Sequence, residues 1–377
     1  MLIQLLAMPL LLVSSVALAA DDLLEEAAPM KDMVTAPQKS ALSSPFEYRA
    51  YLLAEYQRWW VRNKDGGWSA PNLEAGLTGK LSAADRWQLY LDGTGTFTEN
   101  TGRTRAVLGQ AGIRYAPAPS LQLNAGKERT RKSPGLIVSP GDFIHAGENL
   151  PGLREQRTGT WNIRVSWQSP VASVDAMALP LMINDEYGIP VSDGQKRGGA
   201  LRAFLQYGVF DAALSGGIID GGAVFGAHLQ AFALKALKLY AEAGFQHDAA
   251  TRAIKKENTL AVLVGARYEG VTDMSFTAEV YRNGAGLTGA EPGRFAKTWY
   301  AIASASHANL WRESSLTLTH IQSLEENSCS LLGRYQLPFG AMNTAGVTLG
   351  ATHGAAGTQY GAGVPSWTLA ADWRISI

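Results

Sequence analysis

The 377-residue sequence has one cysteine, Cys329, which excludes an intramolecular disulfide, a cysteine-based metal cluster and a CxxCH haem site. It also has no net charge: 33 Lys+Arg balance 33 Asp+Glu. A chain that dips into nucleic-acid phosphates carries a basic excess, so that class of function is excluded. Beyond the first twenty residues no apolar run approaches the roughly 18 residues a spanning helix needs, and a polytopic helical membrane protein is excluded with it. Catalytic signals are scarce. No Gly-x-Ser-x-Gly or Ser-x-x-Lys motif occurs, and His145, His228, His247, His307, His320 and His353 form no pattern that would gather with Ser or Asp at one place. No enzyme, cofactor or bound metal is expected. Gly76-Leu77-Thr78-Gly79-Lys80 lacks the spacing of a phosphate loop and lies inside an expected strand. Asn184, Asp185 and Glu186 put oxygen-bearing side chains in one loop but are too few to specify Ca²⁺.

What the sequence does have is glycine and aromatics: 40 Gly, 13 Tyr and 10 Trp, spread along the chain in the way many short strands require. Ahead of them, residues 1–19 read as a secretory signal peptide, an apolar core ending in small residues with Ala17 and Ala19 placed for cleavage. Its n-region carries no Lys or Arg, so a membrane anchor is the alternative there. Residues 20–45, acidic and then rich in Ala, Ser and Pro, are expected to form a flexible periplasmic segment.

From Phe46 onward the hydrophobic period is two. In Trp87-Gln88-Leu89-Tyr90-Leu91-Asp92-Gly93-Thr94-Gly95-Thr96-Phe97-Thr98, Trp, Leu, Gly and Phe take one face and Gln, Tyr, Asp and Thr the other. The same alternation runs through 161–167, 239–245, 276–281 and 367–377. Segments of about ten residues with one lipid face and one aqueous face are the signature of a transmembrane, antiparallel, up-and-down β-barrel. Turn signals divide 46–377 into about eighteen strands, with sixteen as the alternative because 198–208, 209–219 and 223–234 are the hardest to separate. Connectors alternate between tight ones, after even-numbered strands, and longer ones after most odd-numbered strands, as short periplasmic turns and long outer loops do. A secreted soluble propeller or sandwich is the competing fold. The tryptophans, which fall near the ends of the expected strands as an interfacial girdle would, favour the barrel.

The polar phase of these strands places Arg49, Lys80, Arg114, Arg164, Arg202, Lys238, Arg267, Arg334 and Arg374 in the lumen. Glu47, Glu55, Glu74, Asp92, Glu128, Glu242, Glu269, Glu279 and Asp372 join them. A wall balanced in sign predicts weak ion selectivity, or else a structural salt-bridge network that fills the barrel. The longest connector, Lys132 to Arg157, is too apolar for a solvated loop: Leu136, Ile137, Val138, Phe143, Ile144, Leu150 and Leu153 must bury against something. Folding into the lumen as a constriction would do that, lined by Asp142, His145, Glu148, Arg154, Glu155 and Arg157, with Arg164 and Glu128 on the adjoining wall. A lid among the outer loops is the alternative.

Leu123-Asn124-Ala125-Gly126-Lys127-Glu128-Arg129, then Ser139-Pro140-Gly141-Asp142-Phe143, then Gly152-Leu153-Arg154 resembles a pattern of Gram-negative outer-membrane barrels of the alginate-export and porin type. In those barrels a Gly-basic-Gln/Glu strand end precedes an Asn-Pro-x-Asp-Phe loop. Ser139 stands here in place of Asn, and Lys132-Ser133 where Trp-Gly is usual. The resemblance implies a barrel that conducts solutes or saccharides. The last strand is similar to the signal read by the barrel assembly machinery, with Ile377 in place of the commonest terminal Phe. Basic residues near the outer strand ends, among them Arg103, Arg105, Lys127, Arg129, Arg131, Lys132, Arg252, Lys255 and Lys256, suit lipopolysaccharide phosphates as well as ordinary solvation.

The expectation is therefore an outer-membrane, porin-like channel for passive, weakly selective passage of small hydrophilic solutes or saccharides. The alternative is a structural sleeve that houses a periplasmic or lumenal protein partner, for example a cytochrome or lipoprotein of an envelope complex.

Overall fold

The computed structural model describes residues 46–61, 67–83, 86–98, 103–128, 134–142, 160–182, 196–219, 222–250, 256–284, 297–361 and 365–376. The signal-peptide and linker readings over 1–45 lie outside them. The described residues form eighteen strands and no helix: β1 (Phe46–Val61), β2 (Gly67–Ala83), β3 (Trp87–Thr98), β4 (Arg103–Ala118), β5 (Leu121–Glu128), β6 (Thr160–Gln168), β7 (Ala172–Met182), β8 (Lys196–Tyr207), β9 (Phe210–Ile219), β10 (Gly222–Leu234), β11 (Leu237–Ala250), β12 (Lys256–Tyr268), β13 (Met274–Arg282), β14 (Trp299–His307), β15 (Ser315–Ser323), β16 (Cys329–Phe339), β17 (Asn343–His353) and β18 (Pro365–Ser376).

Every strand pairs antiparallel with its neighbours in sequence, and β1 also pairs with β18, from Tyr51↔Ser376 to Trp60↔Trp367. The sheet therefore closes on itself and leaves no edge. Eighteen is the count expected, and the segments around 198–234 resolve as β8, β9 and β10, joined by very tight turns. The short join after β9 breaks the alternation of connector lengths, which is why periodicity alone separates those strands poorly.

The outward face is apolar on nearly every strand. Leu89 and Leu91, Ile163 and Val165, Leu214 and Ile218, and Leu349 are all exposed on the isolated chain. At the short-turn end the outward positions are aromatic, with Phe46, Tyr48, Trp87, Trp167, Tyr207, Phe210 and Trp373 exposed there. Phe97, Phe225, Trp299 and Trp367 form the opposing girdle. Along β3 the ten residue steps from Trp87 to Phe97, at about 3.3 Å each and a tilt of about 40°, give an apolar band of about 25 Å, the height of an outer-membrane barrel. An extra residue in β4 opposite Asp92/Gly93 resets the alternation there, so that both Leu108 and Ile113 face outward although they stand five positions apart, an odd step that strict alternation would put on opposite faces.

The inward face carries the charges. Glu269 is the exception among the residues assigned to the wall: it sits in the turn after β12, where Arg267 Nη2 pairs with it at 2.5 Å. The strand ends one residue earlier than its alternation suggests.

The two faces should respond differently to charge. Leu214→Arg, in the middle of the outward band, is expected to destabilise the barrel by about 2–4 kcal/mol. Thr94→Arg on the lumen face should be near neutral, both read from urea unfolding in lipid vesicles.

Candidate functional site: a loop segment pinned inside the barrel

Part of the longest connector, residues 134–142 between β5 and β6, is buried inside the barrel. It starts from the end of β5, yet the groups it meets lie on β8 to β15, so it crosses toward the opposite wall. Three kinds of interaction hold it there.

The first is carboxylate on backbone. Gly135 N–H donates to Glu242 Oε1 at 2.6 Å, Gly141 N–H to Glu242 Oε2 at 3.3 Å, and Leu136 N–H to Glu279 Oε1 at 2.5 Å. Tyr240 Oη donates to the same Glu279 oxygen at 2.6 Å. An irregular segment in a lumen has no ladder to satisfy its amides, and two wall carboxylates take that role. Glu242 and Glu279 are both almost fully buried. The second is an ion pair. Arg202 on β8 donates through Nη2 to Asp142 Oδ1 at 2.8 Å, with both side chains buried. The third is apolar. Ile137, fully buried, and Val138 join Tyr240, Leu263, Tyr281, Tyr300, Ile302, Ile321 and Tyr360 in one cluster, with Leu136 and Ala261 against it.

Close approach needs bare wall, and the sequence supplies it. A Cβ on Gly244 would fall well inside van der Waals contact of the Pro140 carbonyl, and one on Gly226 would do the same to the Gly141 carbonyl. Both are inward positions, so the segment lies on the wall with its backbone where side chains would otherwise stand.

Beside this attachment runs a second charged chain. Arg164 on β6 forks onto Glu128 at the end of β5, Nε to Oε1 at 2.7 Å and Nη2 to Oε2 at 3.1 Å. It also pairs with Asp175 on β7 at 3.5 Å. Asp175 is in register with Arg202, so the charges Glu128, Arg164, Asp175, Arg202 and Asp142 alternate in sign along four strands and the segment. A cavity large enough for about one water is lined by Asp142, Arg202, Ser215 and His228. Across the barrel, Arg334 on β16 pairs with Asp372 on β18 at 3.0 Å and donates to Thr348 at 2.8 Å.

Of the residues expected to line a constriction, Asp142, Arg164 and Glu128 are placed on this charged chain, and Asp142 meets Arg202 rather than Arg164. His145, Glu148, Arg154, Glu155 and Arg157 lie outside the described residues, as do the loop carboxylates Asp185 and Glu186. Sequence reasoning put Arg202, Glu242 and Glu279 in the lumen but gave them no partner. The usable signal was inward glycine beside inward acid, Glu242 with Gly244, a pairing that leaves room for a backbone and offers it an acceptor. Among the described residues no group of three His, Cys, Asp or Glu side chains could hold a metal ion.

At the long-loop end, three connectors meet. Glu326, between β15 and β16, accepts hydrogen bonds from the Gln359 N–H and from Ser328 Oγ (2.9 Å) and pairs with Lys297 Nζ at 3.2 Å. Burial pushes its carboxyl up, but these bonds and the Lys297 charge outweigh burial and hold it below the ordinary 4.5.

A closed eighteen-stranded antiparallel barrel with an apolar outer band, a charged lumen and a connector folded inside it is the architecture of a transmembrane β-barrel. Among solved structures the chain is similar to OccAB4 of Acinetobacter baumannii, at 8% identity and TM-score 0.61, over 89% of this chain and 99% of that one. OccK5 (OpdH) of Pseudomonas aeruginosa is similar at 10% identity and TM-score 0.59, over 88% and 98%. OccK11 (OpdR) of the same organism is similar at 9% identity and TM-score 0.60, over 88% and 96%. At these identities the likeness is one of fold. No protein-family model matches the sequence, and neither does any curated protein.

Two expectations follow from the geometry. Arg202→Ala strands Asp142 in a buried site, a loss of up to about 3–5 kcal/mol. The double variant Arg202→Ala/Asp142→Ala should be less destabilised than the sum of the single variants, measured by urea unfolding in vesicles. A carboxyl whose folded pKa is depressed stabilises above its unfolded value and loses that contribution as pH falls through the folded one. The Glu326 cluster should therefore hold from neutral pH down to near 4.5 and loosen below it. Amide protection at Gln359 at pH 7 and at about pH 3 reads this, and Glu326→Gln should flatten the difference.

Proposed function

We propose that this protein is an outer-membrane channel for passive, weakly selective passage of small hydrophilic solutes or saccharides. The observation that carries the reading is segment 134–142, fixed to the inner wall of β8–β15 by Glu242, Glu279 and Arg202. A connector held there narrows a lumen without sealing it. On the remaining wall, β16–β18 and β1–β4, inward side chains such as Gln336, Thr352, Thr368, Glu55, Gln88 and Thr96 are only half-buried, which fits a polar, water-lined path. Both signs of charge occur along it: Lys80 lies 3.8 Å from Glu47, and Thr78 donates to Asp92 at 3.3 Å. Paired charges produce little net field, so weak ion preference is expected.

On this reading His145, Glu148, Arg154, Glu155 and Arg157 line the narrowest part, and Asp142, Glu128 and Arg164 brace it from the buried ion-pair chain on the wall. The chain is exported by the signal peptide at 1–19 and inserted by the barrel assembly machinery through β18. Its outer basic residues contact lipopolysaccharide. The protein acts as a conduit and performs no chemical step. A lumen already occupied over β8–β15 by the chain's own segment supports a channel over a sleeve for a protein partner.

Single-channel recording in a planar bilayer tests this. The intact barrel should give stable openings with weak cation–anion preference, and replacing 134–142 by a short Gly-Ser linker should enlarge the conductance. A barrel silent in both forms, or one that purifies with a stoichiometric lumenal partner, would sink the channel in favour of the sleeve.

A further inference from the structure

Segment 134–142 shares its buried site with a second connector. Tyr360, between β17 and β18, is only 5% exposed and belongs to the same apolar cluster as Ile137 and Val138. The other members of that cluster on β11–β15 are wall residues; Tyr360 arrives from the long-loop end. The residue before it explains how it is held. The Gln359 side-chain oxygen accepts the Tyr300 hydroxyl, and the Gln359 N–H donates to Glu326. The Tyr300 oxygen in turn accepts the Lys297 N–H at 2.6 Å, and Lys297 Nζ closes the circuit onto Glu326 at 3.2 Å. Tyr300 itself is fully buried and stacks on Tyr281 with ring centres 6.3 Å apart. The connectors after β13, β15 and β17 are thus tied together around one tyrosine whose ring is part of the cluster that receives Ile137.

We propose that the β17–β18 connector is a second constriction element, a strut with Tyr360 as its tip and Gln359–Glu326 as its anchor, which keeps segment 134–142 seated and so sets the width of the pore. The polar attachments of that segment account for Gly135, Leu136, Gly141 and Asp142. They do not account for Ile137 and Val138, which in a wet lumen stay in place only while other apolar groups cover them. Wall residues make up most of the cluster that buries this pair, and Tyr360 joins that cluster from a different strand pair altogether. Tyr360 and Gln359 are positioning residues; neither needs to touch the solute. The consequence for pore width rests on the channel reading above, whereas the seating of the segment does not.

Amide exchange in lipid vesicles tests the strut without any conduction. In Tyr360→Ala, the amides of 134–142 should exchange about tenfold faster than in the unaltered protein, with the strands unchanged. Conductance should rise or become noisier, by less than on replacing the segment. If Tyr360→Ala fails to give a folded barrel, judged by loss of heat-modifiable gel mobility, Gln359→Ala and Glu326→Gln remove the anchor instead and are read in the same way. Unchanged exchange over 134–142 in a folded variant overturns the strut whatever the conductance. Faster exchange with a silent unaltered barrel overturns the channel reading and retains the strut.

Discussion

Inside a bilayer there is no water to take up a peptide group left without a hydrogen bond, and each such group costs several kcal/mol. The pairing of β1 with β18, from Tyr51 to Trp60 on one strand, removes the two edges that an eighteen-stranded sheet would otherwise present. Everything else in the molecule depends on that closure. With both rims joined, the sheet has only two faces, and the side-chain period of two assigns every residue to lipid or to lumen. The apolar band and the charged wall are the two halves of one alternation.

Closure also creates a difficulty that segment 134–142 answers. A barrel of this size encloses more space than inward side chains fill, and a connector that enters it leaves the ladder that satisfied its amides. Glu242 and Glu279 meet that need as wall-mounted acceptors, and Gly226 and Gly244 leave room for the backbone to reach them. The ion pair Arg202–Asp142 fixes the far end. Breaking either kind of contact exposes a buried charge, so the attachment gains its stiffness from what its loss would cost more than from what its formation contributes. The apolar cluster around Ile137 then couples the segment to the outer loops through Tyr360 and Tyr300.

The barrel was easy to read in the sequence because alternation is local: Trp87 to Thr98 declares its two faces without reference to any other strand. Strand number followed wherever a connector was long or carried clear turn residues, and was hardest at β8–β10, where Phe210 and Gly222 begin strands almost as soon as the previous ones end. The apolar run Leu136-Ile137-Val138 likewise announced that its loop must bury itself. Its address did not appear, because the apolar cluster that takes in Ile137 is drawn from β11, β12, β13, β14, β15 and the β17–β18 connector, up to more than two hundred residues away. Glu242 and Glu279 look, in sequence, like any other lumen acid.

What the sequence by itself determined is the membership of each face, since that depends only on residue type and a period of two. Tertiary structure alone decided which lumenal charges are joined and which are left to water. Arg164 chose Glu128 and Asp175, Arg202 chose Asp142, and Arg334 chose Asp372, although alternation offered each of them several equivalent acids. The choice depends on strand register, on the close approach permitted at Gly226 and Gly244, and on the path of one connector across the lumen. Those are distances of a few ångströms between residues remote in the chain, and an ion pair in a poorly hydrated wall forms at such distances or not at all.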